Sequence, residues 1–443
     1  MNDKSATVPQ KAKQVEEAPT EWTWVESSVW TDTMLKALER GVKGGKWFSL
    51  IDKVYRLSTL KAAWRKVKAN DGAPGIDQVS IEDYERHIES NLKRVSGKLK
   101  EGTYVPRAVR RTWIPKPGRA EKRPLGIPTV EDRIVQMALK VVLEPIFEEG
   151  FAPRSYGFRP QRGTKDALRQ VDRMLKEGYR WVVDADLKGY FDTIDHEILM
   201  GEVEKKVTDG RVLELIRSFL TCEVVDGDET YVPERGTPQG GVISPLLANI
   251  FLDTLDHMME EQGFEMVRYA DDFVVLCRTE EEANEALERV RRWTEEVGLT
   301  LHPEKTKLVD ESTGSFDFLG YSFKQGMKFP SKKTKGKLLM KVRKKTPRNH
   351  GYSLETIILD LNRTIRGWFE YFKHAHHNVF DSLDGKIRKR LRGILRRRAK
   401  ISGPANTTTD NKRWPKTYFA NAGLFSMVEA RRVELESLRK ENH

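Results

Sequence analysis

The sequence predicts an α+β fold in which helices pack on one face of an antiparallel sheet, with a basic, mainly helical domain after it. Two stretches read as strands: RWVVDADL (180–187) is a buried strand, and VRYADDFVVL (267–276) is a tight hairpin with two acids at its turn. The stretches ISPLLANIFLDTLDHMMEEQG (243–263) and EEEANEALERVRRWTEEVG (280–298) read as helices. The order strand, helix, hairpin, helix, strand is typical of such a layered fold.

Five segments follow one another along the chain. Residues 1–20 lack an apolar core segment and are predicted to be a disordered tail. Residues 21–105 read as a helical N-terminal extension, and residues 106–325 alternate strands and helices. The stretch PSKKTKGK lies in a segment expected to be a basic linker (326–345), which precedes a helical domain at residues 346–443.

Composition excludes several classes of protein. No run of about eighteen apolar residues occurs, so no membrane span is predicted. The two cysteines, Cys222 and Cys277, are far apart, which argues against a disulfide framework and against a cysteine zinc site. We therefore expect a reducing, intracellular setting.

The net charge of +12 is concentrated in one region. Residues 324–400 contain 23 Lys and Arg against 5 Asp and Glu. Aromatic and aliphatic residues are interleaved with this charge, which favours a polyanion-binding domain over a merely solvated basic face.

The hairpin acids Asp271 and Asp272 have two interpretations. Aspartate is common in turns because its side chain bonds its own backbone, so the pair is compatible with an ordinary turn. Two adjacent carboxylates can also hold Mg2+, which prefers oxygen ligands. On the strand VVDADL, Asp184 and Asp186 point to one face, and Asp186 would join the hairpin acids if the two strands pair.

Seven blocks in order carry a resemblance to a known family: RPLGIPTVEDRIVQ, SYGFRPQRGTKDAL, VDADLKGYFDTIDH, RGTPQGGVISPLLANIFLD, RYADDFVVL, GLTLHPEKTKLV and FDFLGYSF. With RGWFEYF and WPKTYFANAGLFSM further on, the chain resembles a group II intron reverse transcriptase/maturase over roughly residues 70 to 430. The resemblance implies a right-hand polymerase, with fingers, an antiparallel palm sheet and an α-helical thumb or maturase (X) domain.

The resemblance also assigns a catalytic centre. Asp186, Asp271 and Asp272 match the catalytic carboxylates, and the backbone carbonyl of Leu187 would complete a metal shell. It implies two Mg2+ ions, with Mn2+ as a substitute, which would clamp the attacking and leaving oxygens of phosphoryl transfer.

Five residues match the nucleotide-binding positions of the family. Lys116 and Arg123 would grip the triphosphate, although Lys122 is an alternative to Lys116 and both are compatible with exposed loop charges. Phe191 matches a steric gate against the 2′-hydroxyl, or is an ordinary core aromatic. Gln239 and Gly240 would lie beside the nascent base pair.

A further group is expected at the primer and template. Phe318, Leu319 and Gly320 match the primer grip, although their alternation also suits a plain hairpin. Template or primer contacts, or surface salt bridges, are expected at Arg159 and Arg162, and a primer or template contact at Lys305.

The helix GKIRKRLRGILRRRAK (385–400) has an aliphatic stripe and otherwise Lys and Arg. Such a helix suits a membrane surface or a helix-binding partner, but beside a polymerase RNA is the better interpretation. The nearby histidines His374, His376 and His377 have no cysteine or acid partners that would favour a metal site. The residues expected to bind RNA are Arg366, Arg388, Arg392, Arg396, Arg397 and Arg398.

The implied function is an RNA-directed DNA polymerase that also promotes splicing and retrohoming of its intron. Expected partners are group II intron RNA, an RNA template with a DNA primer, target DNA and dNTPs, without a membrane; a homodimer is left open. The expected location is the bacterial cytoplasm, at the nucleoid when DNA is the substrate. The cysteine count predicts no zinc-linked endonuclease. Alternatives are a non-catalytic splicing maturase and a domesticated reverse transcriptase in defence or DNA repair.

Overall fold

The computed structural model describes residues 22–115, 122–349, 351–402 and 407–441. Over these residues the chain has mixed helices and strands, antiparallel sheets and a helical C-terminal region, so the predicted fold class is confirmed. The predicted tail at residues 1–20 lies outside the described residues. Within the described ranges, every helix is too short or too polar to cross a membrane.

The N-terminal region is helical. It contains the short 3-10 turns Trp22–Trp24 and Lys43–Gly45 and helices α1 (Asp32–Arg40), α2 (Ile51–Tyr55), α3 (Leu57–Asn70), α4 (Ile81–Glu85) and α5 (Ile88–Glu101). Helix α3 buries Leu60, Trp64 and Val67 at three- and four-residue spacing, so one apolar face turns toward the core.

The middle of the chain alternates strands and helices. The strands are β1 (Val109–Pro115), β2 (Lys122–Ile127), β3 (Trp181–Asp186), β4 (Val224–Asp226), β5 (Glu229–Tyr231), β6 (Glu265–Tyr269), β7 (Asp272–Cys277), β8 (Lys307–Asp310), β9 (Phe316–Phe318), β10 (Tyr321–Lys324) and β11 (Met327–Pro330). The helices are α6 (Val130–Glu148), α7 (Thr164–Lys176), α8 (Tyr190–Thr193), α9 (His196–Glu204), α10 (Gly210–Leu220), α11 (Ser244–Glu261) and α12 (Glu280–Glu296).

Three sheets result, with strand orders β2-β1-β4-β5, β6-β7-β3-β8 and β11-β10-β9. The second, which we call the central sheet, is antiparallel throughout. Its β3 and β7 pair so that Asp186 lies opposite Asp272, as the pairing of the two predicted strands requires.

Both faces of the central sheet are covered. Val183, Ala185 and Phe273 point into a core shared with α6, α11 and α12. On the opposite face, Val182 and Val274 pack with α7, the small β9–β11 sheet and the C-terminal helices. The expectation of helices on one face only was therefore incomplete, because the second face carries α7 and the small sheet.

The predicted basic linker at residues 326–345 is not a linker. It forms β11 and then helix α13 (Lys332–Lys345). Ser331 caps this helix by accepting a hydrogen bond from Thr334 N, and Leu338 and Val342 are buried one turn apart. The cap and the buried pair outweigh the mutual repulsion of the lysines.

Five more helices complete the C-terminal domain: α14 (Leu354–Phe372), α15 (Asn378–Arg398), α16 (Thr408–Arg413), α17 (Lys416–Asn421) and α18 (Met427–Glu441). Their core contains Phe369, Phe380 and Leu391, all of which are buried. This core is continuous with the residues that cover the second face of the central sheet, so the helical domain is anchored directly on it.

Candidate active site

The centre of the site is the turn between β6 and β7. Tyr269 pairs with Asp272, which leaves Ala270 and Asp271 as a two-residue loop. Ala270 has a left-handed backbone with φ +59°, as primed hairpin turns require. The turn projects Asp271 at the end of the central sheet, next to Asp186 on β3.

The acids at this end of the sheet repel one another. Burial, followed by the charges of Asp184, Asp271 and Asp186, raises the pKa of Asp272 to about 7. Burial also raises the pKa of Asp271, and the Asp186 charge adds to this effect. A bound cation would relieve this repulsion, since it stabilises the ionised carboxylates.

Two acids of the cluster, Asp184 and Asp317, were not predicted as site residues. Burial and the neighbouring charge of Asp317 raise the pKa of Asp184 to about 7, while the Asp317 N–H donates to its carboxylate. Strand alternation could have identified Asp184, because it shares a face with Asp186. Asp317 comes from β9, which no local signal connects to β3.

A cation already lies against one of these acids. Lys305, expected at the primer or template, forms an ion pair with the Asp186 carboxylate. Among the residues that the structure describes, no three His, Cys, Asp or Glu side chains are close enough together to hold a metal ion. The carboxylate oxygens fit a hard divalent cation in chemistry, but Lys305 now supplies the positive charge at Asp186.

Leu187, whose carbonyl was expected in a metal shell, directly follows β3. Its side chain is buried, and its backbone forms an isolated bridge with Leu301. The neighbouring Asp186 carbonyl accepts from His302 N at 2.7 Å, so the end of β3 is held by the segment that carries Lys305.

The predicted triphosphate grip is only partly described. Lys116 lies outside the described residues. Arg123 is exposed on β2, opposite Ile114, and its charge lowers the pKa of Asp271 against the effect of burial. Lys122, the alternative to Lys116, is exposed beside it. The charge of Arg123 therefore acts on Asp271 of the β6–β7 turn.

Phe191 lies on α8, directly after the left-handed Gly189 and buried Tyr190. Its ring packs edge-on against Tyr190 and Phe158, with centroids 5.5 and 6.5 Å apart. It is only partly buried and also lines a cavity of about 440 Å3 together with Gly126 and Thr237. Phe191 therefore belongs to both the core edge and the cavity wall.

Gln239 and Gly240 lie against β2. Gln239 donates from Nε2 to the Asp192 carboxylate at 3.0 Å, and its carbonyl accepts from Gly126 N at 2.6 Å. Gly240 has φ +111°, and a Cβ there would lie 2.3 Å from the Gly126 carbonyl oxygen. The close approach of this loop to β2 requires the glycine, whether or not a nucleotide is bound.

Arg159 and Arg162 both contact Glu148 and carbonyls of their own loop. Arg159 is buried, with its Nε bound to the Glu148 carboxylate at 3.0 Å and its Nη1 donating to the carbonyls of Ala152 and Ser155. Arg162 donates to the Pro153 carbonyl and lies 3.9 Å from Glu148. The expected template contact was wrong for Arg159, because its guanidinium already donates to Glu148 and to carbonyls of its own loop.

The β9–β10 turn reaches Asp272 through its backbone. The Leu319 N–H donates to the Asp272 carboxylate, which lowers the pKa of that group against the effect of burial. Leu319 and Gly320 both have left-handed φ values, +49° and +82°. Phe318 is buried, so its ring serves the core. Tyr371 Oη donates to the Leu319 carbonyl at 2.9 Å and ties this turn to α14.

The predicted RNA-binding arginines divide into two groups. Arg392 is buried and donates to the Trp414 carbonyl at 3.0 and 3.1 Å, while buried Arg396 pairs with Asp410 at 2.6 Å. These two were wrong as RNA-facing residues, since α16 and the segment after it cover them. Arg388 is largely covered beside Asp384. The exposed members are Arg366, Arg397 and Arg398.

Two family profiles match the chain. "Reverse transcriptase (RNA-dependent DNA polymerase)" matches residues 114–323, and "Group II intron, maturase-specific domain" matches residues 336–414. The first covers the catalytic acids and the second begins within α13, so the helix once expected to be a linker belongs partly to the maturase-specific domain.

Curated relatives support the same grouping. The group II intron-encoded protein LtrA of Lactococcus lactis subsp. cremoris is 44% identical over 168 residues, which are 38% of this chain and 28% of LtrA. The chain thus spans little more than a quarter of that relative. Protein YkfC of Escherichia coli (strain K12) is 33% identical over 316 residues, 61% of this chain and 82% of YkfC.

A solved structure, the partial Cas6-RT-Cas1--Cas2 complex, is 25% identical with a TM-score of 0.36, covering 56% of this chain and 42% of the other.

The family follows from the two domain matches, their order along the chain and the coverage of YkfC. These matches agree with the motif blocks and with the acids assembled at the β6–β7 turn. The chain belongs to the group II intron reverse transcriptase/maturase family.

Proposed function

We propose that the protein is an RNA-directed DNA polymerase that also binds its group II intron RNA, promotes its splicing, and supports retrohoming by target-primed reverse transcription. The observation that carries the proposal is the convergence of Asp186, Asp271 and Asp272 at one end of the central sheet. The alternatives are a splicing maturase without catalysis and a domesticated reverse transcriptase; an intact acid set argues against the first.

Arg123, Phe191 and the β9–β10 turn have separate roles in this proposal. Arg123, exposed and electrostatically coupled to Asp271, is suited to bind the triphosphate of a dNTP. The Phe191 ring, on the cavity wall, would crowd a 2′-hydroxyl and so favour dNTPs. The β9–β10 turn fixes Asp272 through Leu319 N–H and would orient the primer end.

Divalent metal use is part of this proposal. Two Mg2+ ions held by Asp186, Asp271, Asp272 and the Leu187 carbonyl would activate the primer hydroxyl and stabilise the leaving pyrophosphate. Lys305 would have to leave Asp186 for an ion to bind there. Lys305 would then be available for a phosphate of the primer or template, as the sequence predicts.

The C-terminal domain supplies the RNA-binding part of the proposal. Arg397 and Arg398 at the end of α15, and Arg366 on α14, are exposed. Arg366 lies over the Phe425 ring at 4.5 Å, which holds its guanidinium at the surface. Such cations suit the phosphate backbone of a folded intron or of a template–primer duplex.

The first test is extension of a DNA primer on an RNA template with dNTPs and Mg2+. We expect extension by the wild type and a loss of at least about a hundredfold in Asp271→Ala, because removing a charge-stabilising group costs that much. Asp360→Ala, an acid on α14 that pairs with Lys345, is the matched control and should remain active.

The outcomes separate the alternatives. A folded, RNA-binding wild type that does not extend primers would favour the splicing maturase without catalysis. Extension that survives in Asp271→Ala would mean that the active site is elsewhere. Extension without binding to group II intron RNA would favour the domesticated reverse transcriptase.

A further inference from the structure

Arg268 is a buried arginine at the end of β6, two residues before Ala270 of the catalytic turn. Its side chain is 1% exposed. Its Nε donates to Asp256 at 2.7 Å, and its Nη1 donates both to Asn249 Oδ1 and to the Ala270 carbonyl, each at 3.0 Å. A fully buried guanidinium is costly unless its donors are paired, and here the pairs include the turn itself.

The backbone conformation of Ala270 explains why this contact matters. It adopts φ +59°, a left-handed conformation that an alanine enters only at a cost in free energy. The conformation persists only where the surroundings fix it. The bond from Arg268 Nη1 to the Ala270 carbonyl is a fixed contact of that kind, and Asp271 is the very next residue.

A second brace comes from the segment at residues 154–157. Its backbone pairs with Arg268: Arg268 N donates to the Arg154 carbonyl at 3.0 Å, and Tyr156 N donates to the Arg268 carbonyl at 2.9 Å. Gly157 then lies directly against the turn, because a Cβ on it would be 2.1 Å from Ala270 N.

Asn249 on α11 joins the two braces. Its Oδ1 accepts from Arg268, and its Nδ2 donates to the Gly157 carbonyl at 2.8 Å. One amide therefore sets the distance between the arginine and the glycine that hold Ala270 from two sides. No other role for this buried asparagine is needed, since both its oxygen and its nitrogen are used here.

We propose that Arg268 is a positioning residue. With the support of Asn249 and Gly157, it holds Ala270 in its left-handed conformation and so determines the position of the Asp271 carboxylate. The inference rests on the proposed function. Arg268 touches no reacting group. The competing interpretation is that Arg268 only ties α11 to β6 through Asp256, with no bearing on the turn.

The decisive variant is Arg268→Lys. A lysine keeps the charge and can reach Asp256, but it lacks the planar fork that serves Asn249 and the Ala270 carbonyl at once. We expect kcat for primer extension to fall about tenfold to a hundredfold, as for a misplaced catalytic group, with the Kd for primer–template within about twofold of wild type. Arg289→Lys, at a partly exposed arginine on α12, is the matched control.

Rescue separates positioning from simple stability. In the Arg268→Lys background, Ala270→Gly should restore kcat at least about threefold, because glycine enters the left-handed region without a Cβ penalty. If Arg268 only ties α11 to β6, kcat should fall in proportion to the folded fraction and the glycine should restore nothing. That result would overturn the inference.

Hydrogen exchange of the peptide spanning residues 265–277 gives a readout independent of activity. Arg268→Lys should speed exchange at the turn more than in α11; equal rates in wild type and variant would overturn the inference.

If wild type extends no primer, the proposed function fails and exchange alone decides. If Arg268→Lys does not fold, Asn249→Ala, which leaves the Arg268–Asp256 pair intact, replaces it in every measurement.

Discussion

At residue scale, few groups of the site offset the negative charge of its acids. The Asp272 carboxylate has burial, Asp184, Asp271 and Asp186 against its ionisation, and the Leu319 N–H in its favour. Asp186 has Lys305. A positive charge near Asp272 would favour its ionised form, so this arrangement is suited to a site that binds a cation.

Phe191 allows a test at the same scale. Phe191→Val should remove the ring from the cavity wall and raise the kcat/KM for ribonucleotides relative to deoxynucleotides about tenfold or more, equal to about 1.4 kcal/mol of lost discrimination. Single-nucleotide extension with paired dNTP and rNTP substrates measures the ratio. Phe48→Val, at a ring that is 78% exposed, is the control. An unchanged ratio would make Phe191 a core residue only.

At element scale, the loop between α6 and α7 acts as a structural clamp. Arg159 fastens it to Glu148 at the end of α6, and its residues 154–157 run beside β6. The block SYGFRP therefore packs beside β6 and the β6–β7 turn, whereas the sequence left a template contact and surface salt bridges both open for its arginine.

Arg159→Met tests this reassignment. Removing Arg159 from this buried ion pair leaves Glu148 with only Arg162 at 3.9 Å, so the free energy of unfolding should fall by about 3 kcal/mol. Denaturant unfolding measures this change. A template-binding assay, at a temperature where the variant is still folded, should give an affinity near that of the wild type. A normal unfolding curve combined with weaker template binding would restore the template contact. Arg169→Met, at an exposed arginine on α7, is the control.

At the scale of the whole molecule, two cores meet on opposite faces of the central sheet. One contains α6, α11 and α12, and the other contains α7, the β9–β11 sheet and the helical C-terminal domain. Within the second core, Tyr321 Oη on β10 donates to the Tyr371 carbonyl of α14, and Tyr371 Oη donates to the Leu319 carbonyl of the β9–β10 turn. RNA held by the C-terminal domain would therefore lie on a body that is packed directly against the catalytic sheet.

The exposed arginines at the end of α15 provide the corresponding test. Arg397→Gln with Arg398→Gln should weaken binding of group II intron RNA and lower the slope of log K against log salt by about 1 to 2, since each lost phosphate contact removes about 0.7 to 0.9. Arg396 is excluded because it pairs with Asp410.

The control for that measurement has the same change in charge. Arg289→Gln with Arg291→Gln, at two arginines on the solvent side of α12, should leave both affinity and slope near wild type. Equal weakening by both double variants would indicate a general charge effect, and no weakening by either would mean that the end of α15 is only solvated.

The sequence by itself determined the strands, the hairpin and the three catalytic candidates, because alternation and turn chemistry act over a few residues. It also determined the family, through blocks in a set order. It could not separate Arg397 from Arg392 and Arg396, which all lie in the same basic helix, LRGILRRR. Tertiary structure decided that, since Trp414 and Asp410 return to cover two of them. Only the packing of distant segments likewise brought Gly157 to the β6–β7 turn and Asp317 beside Asp184.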